Sequence, residues 1–188
     1  TNTVLVVAAH PDDEVLGCGG SMAKWSKLGY KVNVIILSEG STSRDKNRNR
    51  KNHKEYLYEL SNCARNASQI LGVQSVELLD YPDNRMDKVD LLDIVKTVEA
   101  FIEKLKPKIV VTHHSGDLNI DHQIIHQAVM TACRPLPGQT VKRILSFEVP
   151  SSTEWQSPNL NNYFIPNWFE NITLELNLKI EALKAYSC

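Results

Sequence analysis

Two short clusters of residues in this sequence carry side chains that can bind a metal or transfer a proton. The first follows an apolar run and reads His10-Pro11-Asp12-Asp13-Glu14. The second follows another apolar run and contains His113, His114, Asp117, Asn119, Asp121 and His122. Neighbouring carboxylates in a cleft repel each other unless a cation compensates their charge. Both clusters are therefore candidates for parts of one metal site.

The ligand types favour a catalytic metal over a structural one. His10 and Asp13 from the first cluster and His122 from the second would supply three protein ligands and leave a fourth position for water, as in catalytic zinc sites. The ring of Pro11 constrains the turn, so that Asp12 can face another direction than the ligands. One carboxylate could then bind the metal while the other acts as a base.

Each cluster also has a purely structural interpretation. The first could be a turn in which an aspartate caps a helix, and the second a loop followed by a helix cap at Asp121. These alternatives explain either cluster alone. The structural interpretations become less convincing if the fold brings both clusters to one place.

Strands and helices are predicted to alternate around the clusters. Continuous apolar runs predict buried strands at 3–9, 31–37, 75–80, 108–114 and 143–149. A Gly-rich turn followed by a helix to residue 27, and apolar side chains at helical spacing, predict helices there and at 53–71, 90–105, 121–133 and 174–187. The alternation predicts a Rossmann-like, doubly wound α/β fold with a mostly parallel sheet. A length of 188 residues predicts a single domain over 1–188.

The predicted sheet also predicts where the two clusters meet. In open parallel sheets, ligands bind beyond the carboxyl ends of the strands. The strand at 3–9 ends at His10, and the strand at 108–114 ends at His113 and His114. We therefore expect both clusters at one edge of the sheet.

Composition excludes several other classes of protein. Hydrophobic residues make up 42% and charged residues 23%, which is typical of a globular chain, and no apolar run approaches the roughly 20 residues of a membrane span. The net charge of -1 gives no general attraction to nucleic acid, and the basic stretch at 44–54 is interpreted as a solvated loop. Four widely spaced cysteines and the lack of a signal-like segment predict a cytoplasmic location.

The run GCGG at 17–20 raises the alternative of a nucleotide-binding domain, because glycines before a helix expose backbone N–H groups to phosphate. Neither GxGxxG nor GK[ST] fits the sequence, and the preceding acidic cluster would repel a pyrophosphate. We interpret these glycines as a tight turn that lets the helix pack on the sheet.

The motifs resemble those of a known family. AHPDDE at 9–14, after an apolar strand, and the downstream xDH at 120–122 resemble the signatures of the LmbE-like, or PIG-L, superfamily of zinc-dependent N-acetyl amino-sugar deacetylases. The resemblance extends through ILGV at 70–73, LDYPDNRMD at 79–87, THHSGDLNIDH at 112–122 and FEVPSSTEW at 147–155. Relatives continue beyond the final KIEALKAYSC, which implies that a C-terminal segment is lacking here.

The resemblance implies a role for individual residues, with zinc as the cofactor and other divalent ions such as Fe²⁺ as alternatives. The family's metal ligands and general base fall on His10, Asp13, His122 and Asp12. Asp121 is also retained, whereas Asn119 stands where the sugar-thiol branches have a histidine thought to help stabilise the transition state. Asn119 can donate a hydrogen bond to an oxyanion but supplies neither charge nor proton. His114 is a second candidate for that role.

The function implied is hydrolysis of the acetyl group from an N-acetylated amino sugar, or a conjugate of the N-acetylglucosamine type. A water activated by zinc would attack the acetamide while Asp12 accepts its proton. An arginine found in some relatives before ILGV is not evident, so Arg44 and Arg85 are candidates for substrate binding, with surface charges as the alternative.

Two other hypotheses stay open. The chain could be a non-catalytic sugar-binding protein that retains a metal, although a retained base argues against a structural site.

The aromatic side chains of Trp155, Trp168 and Phe169 could form a pocket rim or a homo-oligomer interface, with core packing as the alternative.

Overall fold

The computed structural model describes residues 2–157 and 162–186 of the chain. Its five strands form one sheet in the order β3-β2-β1-β4-β5, and every neighbouring pair is parallel. The strands are β1 (Thr3–Ala8), β2 (Lys31–Ser38), β3 (Ser75–Tyr81), β4 (Ile109–His113) and β5 (Arg143–Phe147). The helices are α1 (Asp13–Lys27), α2 (Lys54–Ile70), α3 (Leu91–Leu105), α4 (Ile120–Ala132) and α5 (Leu176–Lys184).

This architecture confirms the predicted α/β fold, and the sheet is parallel throughout its described strands. The strand order is that of a doubly wound nucleotide-binding fold, although the order alone says nothing about the ligand. The last predicted helix, at 174–187, is present as α5 in shorter form, and residue 187 lies outside the described residues. None of the described helices has the length and apolar composition needed to span a membrane.

Helices cover both faces of the sheet, which explains why its central strands are apolar on both sides. On β1, Val4 and Val6 pack into one core with side chains of α1, α2 and α5. Leu5 and Val7 point to the opposite face and pack with side chains of α3 and α4. All four β1 side chains are fully buried.

The glycine run at 17–20 lies inside α1, not before it. The prediction of a turn at this position was wrong, because the helix already begins at Asp13 and is only kinked at Cys18, whose φ is -139°. A β-carbon at Gly17 would collide with the ring of Phe147, and one at Gly20 would collide with Ile172. The glycines therefore allow α1 to pack closely against β5 and the segment before α5.

Candidate metal centre and active site

The two sequence clusters meet where β1 and β4 end side by side in the middle of the sheet. The chain leaves β1 through α1 on one face of the sheet and leaves β4 through α4 on the other face. Connections that diverge in this way leave a crevice at the carboxyl ends of the strands. His10 follows β1, and His113 is the last residue of β4.

Three side chains converge in this crevice: His10, Asp13 on the first turn of α1 and His122 on the first turn of α4. Asp13 Oδ2 lies 3.1 Å from His10 Nδ1 and 3.1 Å from His122 Nε2. The two ring nitrogens are 3.3 Å apart. The structure thus brings together the three residues that the sequence suggested as metal ligands.

A buried carboxylate holds the second ring nitrogen of His10. Asp121 Oδ2 lies 3.1 Å from His10 Nε2. Asp121 is itself fixed by the backbone N–H groups of Asn84 at 2.7 Å and Met86 at 3.0 Å, both on the loop after β3. A carboxylate that accepts a hydrogen bond from Nε2–H keeps the proton of a neutral imidazole on that nitrogen, so that Nδ1 can offer its lone pair to a metal.

His122 is held in the same way by Asp117. Asp117 Oδ1 lies 3.1 Å from His122 Nδ1, so that Nε2 faces the other ligands. Asp117 Oδ2 accepts hydrogen bonds from the hydroxyls of Thr153 at 2.6 Å and Ser152 at 3.0 Å. The loop after β5 therefore fixes the ring orientation of the second histidine.

The electrostatics of the cluster favour a positive charge at its centre. Burial lowers the pKa of His10, but hydrogen bonds to Asp121 and Asp13 outweigh burial and raise this pKa to about 10. Burial would raise the pKa of Asp13, yet the charge of His122 and the hydrogen bond from His10 hold it well below its ordinary value. A divalent cation meets the same demand for positive charge. Two imidazoles and one carboxylate are a donor set that Zn²⁺ and Fe²⁺ accept.

A second group of close donors shares His10. His10 Nε2 lies 3.4 Å from Asp83 Oδ1 and 3.1 Å from Asp121 Oδ2. Asp83 already accepts hydrogen bonds from the Ser43 N–H and the Asn84 side chain, and Asp121 accepts two backbone N–H groups. These carboxylates are satisfied by protein donors, so the group of His10, Asp13 and His122 is the better metal site.

Asp12 lies beside the cluster in an unusual backbone conformation. It is the N-cap residue of α1 with φ 108°, in the left-handed region, and its side chain makes no capping hydrogen bond. Burial and the neighbouring charge of Asp13 raise the pKa of Asp12 to about 7. A carboxyl group with this pKa can both accept and return a proton near neutral pH.

The Asp12 side chain faces a polar cavity of about 350 Å³. The cavity is lined by His10, Pro11, Asp12, Gly40, Ser43, Arg44, Tyr56, Leu60, Asp83, Asn84 and Tyr186. One ligand and the candidate base thus share a wall with hydroxyl, amide and guanidinium groups.

Residues 5–133, which hold all three candidate ligands and Asp12, match the family described as PIG-L, GlcNAc-PI de-N-acetylase. The chain belongs to this family. The resemblance seen in the AHPDDE motif is thereby confirmed.

Individual relatives support the PIG-L assignment over most of the chain. The chain is 32% identical to the uncharacterized deacetylase YaiS of Escherichia coli K12, over 97% of this chain and 89% of the relative. It is 26% identical to the diacetylchitobiose deacetylase of Thermococcus kodakarensis, over 97% of this chain and 68% of the relative. The crystal structure of GalB, the 4-carboxy-2-hydroxymuconate hydratase of Pseudomonas putida KT2440, shares the fold, with a TM-score of 0.76, 24% identity and coverage of 100% and 79%.

The structure places the other suggested catalytic residues of this PIG-L chain differently. Asn119 is the N-cap of α4: its Oδ1 accepts the Asp121 N–H at 2.9 Å, and its Nδ2 donates to Asn84 Oδ1 at 2.8 Å. His114 is not brought to the metal centre. Its Nε2 lies 3.0 Å from the carbonyl oxygen of Asn162, and its ring lines a different cavity beside β5.

The two candidate arginines are also separated. Arg44 lines the cavity next to Asp12, where a substrate could reach its guanidinium. Arg85 does not line that cavity, and its Nη2 donates to the carbonyl oxygen of Asp45 at 2.7 Å. Arg85 thus braces the loop that follows β2.

Sequence reasoning did not assign the supporting roles of three residues, although it named two of them, His113 and Asp117, in the second cluster. Asp117 and Asp83 lie in loops after β4 and β3, and neither forms a motif with the ligands that it approaches. His113 stacks on His122 with ring centroids 3.8 Å apart, and its Nε2 accepts the Ala9 N–H at 2.8 Å. The available signal for His113 and Asp117 was position, because His113 ends a buried strand and Asp117 lies in the loop that follows it.

Proposed function

We propose that the protein is a metal-dependent hydrolase that removes the acetyl group from an N-acetylated amino sugar or its conjugate. The observation that carries the proposal is the position of Asp12, a carboxylate outside the proposed ligand set, in the wall of a polar cavity that the candidate ligand His10 also lines. A purely structural metal site has no use for such a base. Membership of a de-N-acetylase family supports the same reaction.

His10, Asp13 and His122 would hold the metal, with Zn²⁺ as the proposed ion and Fe²⁺ as the alternative. A bound ion of this kind polarises an amide carbonyl and makes a water molecule more acidic. The neighbouring carboxylates Asp117 and Asp121 keep both histidine rings in the orientation that a ligand needs.

Asp12 would accept the proton of the attacking water and then return it to the departing amine. Its pKa of about 7 suits both steps, because the carboxylate and the carboxylic acid are then both populated near neutral pH. The products would be acetate and a free amino sugar. As the amide C–N bond breaks, the OH of the water joins the acetyl carbon and its proton goes to the amine nitrogen.

Substrate contacts are proposed for the polar residues around the cavity. The side chains of Ser43, Arg44 and Tyr56 are placed to meet the hydroxyl groups of a sugar or an attached group. Asn119 is the proposed oxyanion partner, because an amide Nδ2 carries two hydrogens and, among the described residues, one of them meets Asn84 Oδ1. His114 is not preferred for this role, because it lines a different cavity beside β5 and its Nε2 contacts the Asn162 carbonyl oxygen.

Acetate release tests this proposal. Zinc-loaded protein is incubated with free, nucleotide-linked and lipid-linked N-acetyl amino sugars, and acetate, free amine and bound metal are measured on the same sample. We expect acetate and amine in equal amounts from at least one substrate class. Asp12→Asn should retain the metal and lose turnover by about 100-fold or more.

Three outcomes would overturn the proposal. Near-normal turnover by Asp12→Asn would show that Asp12 is not the general base. Sugar binding without acetate release would indicate the non-catalytic alternative. Turnover of 4-carboxy-2-hydroxymuconate with no acetate release from any sugar would place this chain with the hydratase whose fold it shares.

A further inference from the structure

Glu14 and Tyr186 form a buried pair directly behind Asp12. Glu14 is 1% exposed and lies on the first turn of α1. Its Oε1 accepts a hydrogen bond of 2.6 Å from the Tyr186 hydroxyl, which follows α5 at the far end of the chain. Its Oε2 accepts the backbone N–H of Asp12 at 3.1 Å. One carboxylate therefore connects α5 to the backbone of the proposed base.

Glu14 has no cationic partner within the described parts of the chain. Its recorded polar partners are the Tyr186 hydroxyl and the Asp12 N–H. Burying a carboxylate without an ion pair lowers the stability of the folded protein, so a contribution to folding alone does not explain Glu14. Its position next to a reacting residue suggests a use in the site.

The backbone of Asp12 needs such support. A residue with a side chain at φ 108° is strained, and this conformation persists only where the surroundings hold it. The Asp12 carbonyl is held by the N–H groups of Val15 at 3.0 Å and Leu16 at 2.9 Å, which are part of α1. On the other side of Asp12, its backbone N–H donates a hydrogen bond to Glu14 Oε2.

We propose that Glu14 and Tyr186 are positioning residues that fix the backbone of Asp12 so that its carboxylate faces the metal centre and the cavity. This inference rests on the proposed function, because it assumes that Asp12 is the base. Tyr186 also lines the cavity, so its side chain belongs to the same cavity wall as Asp12. If the backbone of Asp12 were loosened, the proposed metal ligands would stay in place, but the Asp12 carboxylate would face the metal centre and the cavity less often.

Tyr186→Phe removes only the hydroxyl and is the first test. We expect kcat to fall about 10- to 100-fold, the loss typical of a misplaced catalytic group, with KM and metal content unchanged. Tyr81→Phe is the matched control, since the Tyr81 hydroxyl makes a 2.6 Å hydrogen bond to Thr97 outside the cavity. It should retain the kcat of the wild type.

Two substitutions at Glu14 separate positioning from proton transfer. Glu14→Ala should lower kcat as Tyr186→Phe does, because the Asp12 N–H loses its acceptor. Glu14→Gln should rescue activity to within a few-fold, since its carbonyl can accept the Asp12 N–H while its NH₂ donates to the Tyr186 oxygen. An inactive Glu14→Gln variant that binds metal normally would overturn the positioning role.

A measurement without substrate keeps the inference separate from the proposed function. The backbone amide proton resonance of Asp12 should move in Glu14→Ala and in Tyr186→Phe, and stay near its wild-type position in Glu14→Gln and Tyr81→Phe. An unmoved resonance in Glu14→Ala overturns the inference whether or not the protein releases acetate. A raised KM with unchanged kcat in Tyr186→Phe would also overturn it, since Tyr186 would then be a substrate contact. Failure of the wild type to release acetate, with the resonance shifts as expected, would instead overturn the proposed function alone.

Discussion

Replacement of Asp117 should weaken metal binding although Asp117 is not a proposed ligand. Asp117 is 1% exposed, and its Oδ1 lies 3.1 Å from His122 Nδ1. Without this acceptor, His122 can turn its ring or place its proton on Nε2, which is the nitrogen that faces Asp13. Loss of such a partner typically costs 10- to 100-fold in metal affinity.

The two variants of Asp117 should differ in a defined order. Asp117→Asn can still accept from His122 Nδ1, and its NH₂ can donate to a rotated hydroxyl of Ser152 or Thr153, so it loses charge but few hydrogen bonds. Asp117→Ala loses both. We expect zinc affinity to fall about 10-fold in Asp117→Asn and about 100-fold in Asp117→Ala, which is about 1.4 and 2.7 kcal/mol of binding free energy.

Competition with a chromophoric chelator measures these affinities, and thermal unfolding of each metal-free variant shows whether the protein is still folded. Asp45→Asn is the matched control, because Asp45 Oδ2 binds His53 Nε2 at 2.6 Å outside the metal centre. The reasoning is refuted if folded Asp117→Ala binds zinc within about twofold of the wild type, or if Asp45→Asn weakens binding equally.

Three further predictions follow from the same geometry. His122→Ala should lose bound metal in elemental analysis, and unchanged stoichiometry would remove His122 from the ligand set. Arg44→Gln should raise KM more than it lowers kcat, because Arg44 lines the cavity, whereas Arg85→Gln should raise KM less, because Arg85 lies outside the cavity wall and acts only through the Asp45 carbonyl of the neighbouring loop. Glu39→Gln should destabilise the fold by about 2 kcal/mol at pH 7, since the hydrogen bonds from Arg48 and Thr42 lower the pKa of Glu39 against the effect of burial. That loss should shrink as the pH of denaturant unfolding falls through the acid range, because the lowered pKa of Glu39 lets the unfolded chain take up a proton there before the folded protein does, and a constant difference between about pH 3 and 7 would contradict it.

The sequence was sufficient for the sheet and for the candidate ligands because both depend on local patterns. The apolar runs of β1 and β4 are buried on both faces, and a parallel sheet then requires their carboxyl ends to meet. His10, Asp13 and His122 follow from that requirement and from the chemistry of zinc. The start of α1 was predicted too late, because glycine is a poor helix former. The glycines inside this helix are explained by its close contacts with Phe147 and Ile172, which the sequence does not show.

The supporting roles of residues around the site could not be predicted, because they depend in part on tertiary contacts between distant segments. Asp117 contacts His122 within the second cluster, but its other oxygen is held by Ser152 and Thr153 of the loop after β5. Glu14 reads as a first-turn acid that favours a helix N-terminus. Its contact with Tyr186 spans 172 positions and has no signature in either segment.

Asn119, which the family resemblance places at a histidine position of the sugar-thiol branches, has a structural role that the sequence alone did not reveal. An asparagine at this position is a strong N-cap, and its Oδ1 accepts the Asp121 N–H at the start of α4. The cap fixes the turn that carries Asp121 towards His10 and His122 towards Asp13. A histidine there would offer charge but caps a helix poorly. In this chain Asn119 therefore orients two residues of the candidate site, Asp121 and His122, through the first turn of α4, and the same side chain carries the Nδ2 group proposed as the oxyanion donor.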